Sequence, residues 1–157
     1  MSQEQDFIRS IKDATIEACK GENIVVSIAI AQACLESNFG LSGLSLNCNN
    51  FFGIKAGTHW AGKRRAYLTN EYVKTAGHMV KVTADFCVFD SFEDCLKEHN
   101  AMLHRVPVYA NHGLFKCNTA EGQAAILRMA GYATDPGYPQ KLMRLVNEYN
   151  LKQYDNV

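Results

Sequence analysis

The sequence predicts an α+β domain, mainly α, in which a helical body carries a small two-stranded antiparallel β-lobe flanking a cleft. Three observations predict it. Most of the 157 residues place apolar side chains at helical spacing. One stretch, about 63–90, changes to a period of two. One helix, Ile24 to Leu35, has ten apolar residues in twelve, so it is apolar all round and belongs inside the body. A chain of this length reads as a single domain, 1–157, with a core large enough to fold unaided.

Residues 2–20 read as an amphipathic helix, with Phe7, Ile11, Ala14 and Cys19 near one stripe and Gly21 after it. The apolar helix follows, from about Asn23 to Ser37; it is too short to cross a bilayer. Gly40 suits the closing of that helix. Leu41 to Leu46 looks like one helical turn. Residues 47–55, NCNNFFGIK, are polar, then aromatic, then bounded by glycine, and read as a loop. Trp60, the single tryptophan, stands between Gly57 and Gly62.

The change of period marks the β-lobe. Val80, Val82, Ala84, Phe86 and Val88 alternate with Lys81, Thr83, Asp85 and Cys87, as in a half-buried strand. Arg64 to Glu71 can pair with it across a connection near Thr75-Ala76-Gly77. Three helices then close the chain. Ser91 can cap the first, whose inward positions are Phe92, Cys95, Leu96, His99, Met102 and Leu103, and Pro107 ends it. Thr119 can cap the second, with Gly131 just past its end. Asp135-Pro136 or Pro139 starts the third, through Leu142, Leu145, Val146 and Tyr149. The tail from Lys152 is polar and reads as loose.

Sixteen basic residues balance sixteen acidic ones, which gives no sign of a nucleic-acid or anionic-membrane partner. The start, MSQEQDF, lacks the apolar core of a secretory leader, so a chain made without a signal peptide, in the cytoplasm, is the expectation. None of the six cysteines forms a C-x-x-C pair, and in a cytoplasmic chain they read as reduced thiols. The five histidines show no metal-pair spacing, so neither a metal nor another cofactor is implied.

Charge arrives abruptly at the end of the apolar helix, as Glu36. Desolvation and the negative end of the helix dipole both raise the pKa of a carboxyl group placed there. A carboxyl that keeps its proton near neutral pH is what a general acid needs. A surface glutamate at a frayed helix end has the same local sequence, so this segment alone leaves both readings open.

Five motifs carry a resemblance. Residues 32–40, QACLESNFG, resemble the Q-A-x-L-E-S-x-[WF]-G segment of the bacterial cell-wall N-acetylglucosaminidase family, glycoside hydrolase family 73. Residues 49–55, NNFFGIK, look like its N-N-[LF]-F-G-I-K loop, and 69–72, TNEY, are similar to its T-x-E-[YF] strand. Residues 86–91, FCVFDS, match its F-[RK]-x-[YF]-x-S segment, with Cys87 in place of the usual basic residue. Residues 131–136, GYATDP, are like its G-Y-A-T-D-P signature. The motifs occur in the family's order across about residues 22–151.

The resemblance implies a lysozyme-like fold and cleavage of peptidoglycan after N-acetylglucosamine. It implies Glu36 as catalytic acid, Glu71 opposite it on the β-lobe, and Tyr132 near the reacting sugar. Asn50, Phe52, Trp60 and Tyr109 are the sugar-contact candidates; Asn50 and Phe52 lie in a matched motif. Core packing explains Phe52 and Trp60 equally well. Cys87 is expected at an outward strand position. The partner implied is a peptidoglycan glycan strand; the charge balance and the lack of a membrane-length apolar run set aside nucleic acid and membrane insertion, and the oligomeric state is left open, with a monomer as the expectation.

A wall target without a leader suggests a phage endolysin catalytic domain. A catalytic domain cut from a larger autolysin, or an injected effector, would read the same. Two carboxyl groups suit glycoside hydrolysis: about 6.5–9.5 Å apart they invert, and about 5 Å apart they retain through a covalent intermediate. The substrate's own N-acetyl group as nucleophile is the third route. A muramidase, a lytic transglycosylase or a non-catalytic peptidoglycan-binding domain would show many of the same features.

Overall fold

In the computed structural model, which describes residues 2–73 and 75–156, helices form a body and one hairpin projects from it. The side chains of residues 71–73 lie outside the described residues.

Helix α1 spans Gln3–Cys19 and opens on a capping box, in which Ser2 and Gln5 bond each other's backbone. Helix α2 spans Val26–Ser37, starting later than the composition suggests because Val25 is extended. Ten of its twelve residues are buried, Gln32 and Ser27 included. It closes on Asn38, whose φ is 48°, so the left-handed step comes two residues before Gly40. Gly40 has its own reason to be glycine: φ is +80°, and a Cβ there would stand 2.8 Å from the Phe7 ring.

Helix α3, Gly43–Cys48, is capped by Ser42 and leads into the 49–55 loop. Strands β1, Arg64–Val73, and β2, His78–Cys87, form one antiparallel hairpin, in register from Arg64 opposite Cys87 to Val73 opposite His78. Along β2 the alternation is as expected, with Val80, Val82 and Ala84 half-buried between exposed neighbours.

Helix α4, Phe92–Arg105, starts on Ser91. Pro107 stops it and also begins the short helix α5, Pro107–Asn111, which periodicity does not reveal. Helix α6, Ala120–Met129, is capped by Thr119. Helix α7, Tyr138–Glu148, carries Pro139 in its first turn.

Helix α2 is the axle: α1, α6, α7 and the C-terminal 3-10 turn Leu151–Tyr154 all pack on it. The tail is therefore not loose. Leu151 is fully buried, and Asp155 reaches back to the start of α2. Its Oδ1 accepts from the Ser27 backbone N–H at 2.7 Å and its Oδ2 from the Ser27 hydroxyl at 2.8 Å. Val25 supplies no side-chain cap, so the tail caps the helix from a distance of 128 residues in sequence.

A second expectation is corrected at the root of the hairpin. Cys87 is fully buried, not outward. The 49–55 loop crosses there: Cys87 N–H donates to Ile54 O at 3.0 Å, and Lys55 bridges to Phe86. A long basic side chain would find no solvent at that place, whereas a thiol fits.

Candidate active site

Glu36 stands on the last turn of α2, next to the end of the most buried helix in the chain. The residue is exposed, as a group that must meet substrate requires. Protein nevertheless crowds its carboxyl. Its pKa is raised above the ordinary glutamate value, with desolvation as the largest cause. The Tyr138 hydroxyl lies 3.2 Å from Oε1, and when it donates to the carboxylate that bond works in the opposite direction.

Tyr138 and Tyr132 stand beside this carboxyl, and Tyr109 packs on Tyr132. Tyr138 opens α7, and its ring stacks on Tyr132, with centroids 5.9 Å apart and planes 22° apart. Tyr109, from α5, meets Tyr132 edge to face at 6.4 Å. Burial pushes all three phenols up, Tyr132 most plainly, and the Glu36 charge adds to the shift of Tyr132 and Tyr138. Each keeps its proton near neutral pH and can donate it in a hydrogen bond.

The structure brings Glu36, Tyr132 and Tyr109 together. Tyr138 completes the group and was not anticipated. Neither were two polar residues beneath it: Gln32 Nε2 lies 3.0 Å from the Tyr138 hydroxyl, and His99 Nε2 lies 3.0 Å from Gln32 Oε1. A signal for Gln32 did exist. It is one of two polar residues inside an apolar run, and a buried amide needs partners across the core.

Other candidates sit elsewhere. Asn50 is 1% exposed, and its amide is spent within the protein: it donates to Ile54 O and Cys87 O and accepts from Ile54 N–H, all at 2.9–3.0 Å. It braces the root of the hairpin and presents nothing to a sugar. Phe52 is buried too, stacked on His99 at 4.0 Å and tilted against Phe92, so packing accounts for it. Trp60 packs edge to face on Phe89 and donates to Lys63 O at 2.8 Å. It lines a hollow of about 540 Å³ with Asp94, Lys97 and Glu98, on the face of α4 turned away from His99. None of its described contacts is with Glu36, Tyr132 or Tyr138. Glu71 lies on the outer half of β1, paired in register with Val80; its side chain is outside the described residues.

Thiol chemistry is not arranged here. All six cysteines are unpaired. Burial pushes Cys19, Cys34 and Cys95 up to about 12 and Cys87 to about 11, which makes them inert hydrophobes. Among the described residues no cluster of three or more His, Cys, Asp or Glu could hold a metal ion.

A carboxyl biased toward its acid form, facing solvent beside protonated tyrosines on a mainly helical α+β body, is the equipment of a general-acid hydrolase. Comparison with known proteins narrows the class. The glucosaminidase family model, described as mannosyl-glycoprotein endo-beta-N-acetylglucosaminidase, matches residues 12–151. The chain belongs to that family.

A probable N-acetylmuramidase of Lactococcus lactis subsp. lactis (strain IL1403) is 36% identical over 95% of this chain and 34% of its own length. The exo-glucosaminidase LytG of Bacillus subtilis (strain 168) is 31% identical over 100% of this chain and 55% of its own. The chain thus spans about a third to about half of the curated relatives it matches. Among solved structures, the catalytic domain of the autolysin Auto from Listeria monocytogenes superposes with a TM-score of 0.87 at 34% identity, covering 99% of this chain and 89% of that one. The fold is the one these glucosaminidase-family domains share.

Proposed function

We propose that this chain hydrolyses the β-1,4 bond after N-acetylglucosamine in bacterial peptidoglycan, as an endo-β-N-acetylglucosaminidase with Glu36 as general acid. One observation carries the reading: a solvent-facing carboxyl at the end of the buried helix has its pKa raised by desolvation, with a tyrosine hydroxyl 3.2 Å away. In the protonated form Glu36 gives its proton to the glycosidic oxygen as the bond to the sugar carbon breaks. Tyr132 keeps its own proton and orients the N-acetyl group by a hydrogen bond. Glu71, on the hairpin, meets the positive charge at the sugar carbon or activates the water that replaces the leaving group. Tyr109 lends one wall of the tyrosine group beside the sugar.

Peptidoglycan as substrate is supported by relatives whose names are peptidoglycan hydrolase FlgJ, in Salmonella typhimurium, and autolysin Auto, in Listeria monocytogenes. The Lactococcus name favours a second reading, cleavage after N-acetylmuramic acid on the same fold.

Mass spectrometry of muropeptides from purified walls separates the two. New reducing N-acetylglucosamine ends support the proposal. Reducing muramic ends support the muramidase, and anhydro-muramic products overturn hydrolysis altogether. Glu36→Gln is expected to abolish solubilisation while the protein still sediments with walls. Full activity in that variant overturns the assignment of Glu36.

A further inference from the structure

His99 is the one fully buried base among the described residues, and the chemistry above does not use it. It is a link in a continuous chain of hydrogen bonds that ends on Glu36. From the far end, Asn100 Nδ2 donates to the backbone carbonyl of Ala18 at 3.3 Å. Asn100 Oδ1 lies 2.9 Å from His99 Nδ1. His99 Nε2 lies 3.0 Å from the Gln32 amide, which lies 3.0 Å from the Tyr138 hydroxyl, 3.2 Å from Glu36. Five links join α1, α4, α2 and α7.

Counting protons gives this chain a direction. The Ala18 carbonyl can only accept, so Asn100 turns its nitrogen there and its oxygen to His99, and Nδ1 must carry a proton. Asn100, neutral His99, Gln32 and Tyr138 each place one proton in one link. Four protons serve five links. The fifth comes either from a second proton on His99 or from Glu36.

With the Gln32 nitrogen toward Tyr138, both nitrogens of His99 face amide oxygens, and the ring must be an imidazolium. Burial opposes that charge. His99 is 0% exposed and stacked on Phe52, and its pKa is pushed down to about 4. A neutral ring leaves Nε2 bare. A half-turn of the Gln32 amide then lets its nitrogen donate to Nε2 and its oxygen accept the Tyr138 proton. The Tyr138 oxygen offers only lone pairs to Glu36, and the link closes when the carboxyl brings the proton. In that state the Tyr138 bond favours the acid form of Glu36.

We propose that Asn100, His99, Gln32 and Tyr138 form a polarised hydrogen-bond chain, one proton short, which Glu36 completes by keeping its acid proton. The proposal rests on the reading of Glu36 as general acid. Gln32, His99 and Asn100 are positioning residues that act through Tyr138. No proton travels along the chain, since an amide in its middle only orients its neighbours. The ionisable groups packed around it are Tyr109, Tyr132, Tyr138, Cys95 and Cys19, whose thiol lies 4.0 Å from Asn100 Nδ2; all are raised by burial and neutral near pH 7. Glu71 is the remaining carboxyl assigned to the site, and the test therefore reads Glu36 directly.

The experiment titrates the Glu36 carboxyl by ¹³C NMR in the wild type, Gln32→Met and Asn100→Leu, beside the pH profile of wall hydrolysis. Breaking the chain frees the Tyr138 hydroxyl to donate to the carboxylate. The Glu36 midpoint and the basic limb of the profile are expected to fall by about one pH unit, the effect of one hydrogen bond gained by the ionised form. Imidazole ¹⁵N shifts in the wild type are expected to show the proton on Nδ1 from pH 5 to 8, a readout that needs no variant to fold. An unchanged midpoint in either folded variant, or a proton on Nε2 alone, overturns the chain. Glu36→Gln that still hydrolyses walls overturns the acid assignment instead, so the two failures are distinct.

Discussion

Removing the Asp155 carboxylate should destabilise the whole domain, although the residue lies 128 positions from the helix start it caps. The perturbation is Asp155→Ala. It deletes two charge-assisted bonds, at 2.7 and 2.8 Å, both on Ser27 in the first turn of α2. Ser27 is buried, so water does not readily replace either partner. Two such bonds, together with a negative charge at a helix N-terminus, amount to about 3 kcal/mol. For a domain of this size that is a fall in Tm of about 6–12 °C. Asp155→Asn can keep both contacts in neutral form and should lose about half as much. Differential scanning calorimetry at pH 7 measures all three proteins. A loss below about 2 °C for the alanine variant would refute the idea that the tail caps the central helix.

Three further outcomes can be checked. Asn50→Ala removes three buried hydrogen bonds at the root of the hairpin and should cost about 2–4 kcal/mol in urea unfolding, with lower wall hydrolysis although Asn50 does not touch Glu36. Native protein treated with a thiol reagent should show one reactive cysteine, Cys117, and six after unfolding, because the other five are buried. Glu36→Gln should be more stable than the wild type at pH 8 but not at pH 3. The folded wild type holds the Glu36 proton more tightly than the unfolded chain does, so its stability is full at low pH and declines as pH rises through the raised pKa.

Much of the architecture was legible because periodicity reports faces. The hairpin, the capped starts of α4 and α6, and the all-apolar α2 follow from spacing and capping residues alone. Glu36 stood out as a candidate because charge arrives abruptly at the end of an apolar run, and the family resemblance, not the segment alone, favoured the acid over a surface glutamate. What spacing does not report is which distant residue completes a polar group. Gln32 and Tyr138 are 106 residues apart, and Ser27 and Asp155 are 128 apart. His99 fell into an apolar stripe because a buried neutral imidazole packs like an aromatic ring, here against Phe52. Asn50 lay in a polar loop that looked open to solvent, and its burial depends on a strand 37 residues later.

The root of the hairpin has a geometric consequence. Glu71 stands seven residues along β1 from Arg64, an arm of roughly 23 Å at about 3.3 Å per residue. A rotation of about 10° at the junction would sweep the backbone of Glu71 through about 4 Å, close to the difference between the two carboxyl spacings that separate inversion from retention. For the role proposed for Glu71, small adjustments around Asn50, Ile54 and Cys87 would set where its backbone arrives, much as a wrist sets the reach of a fingertip.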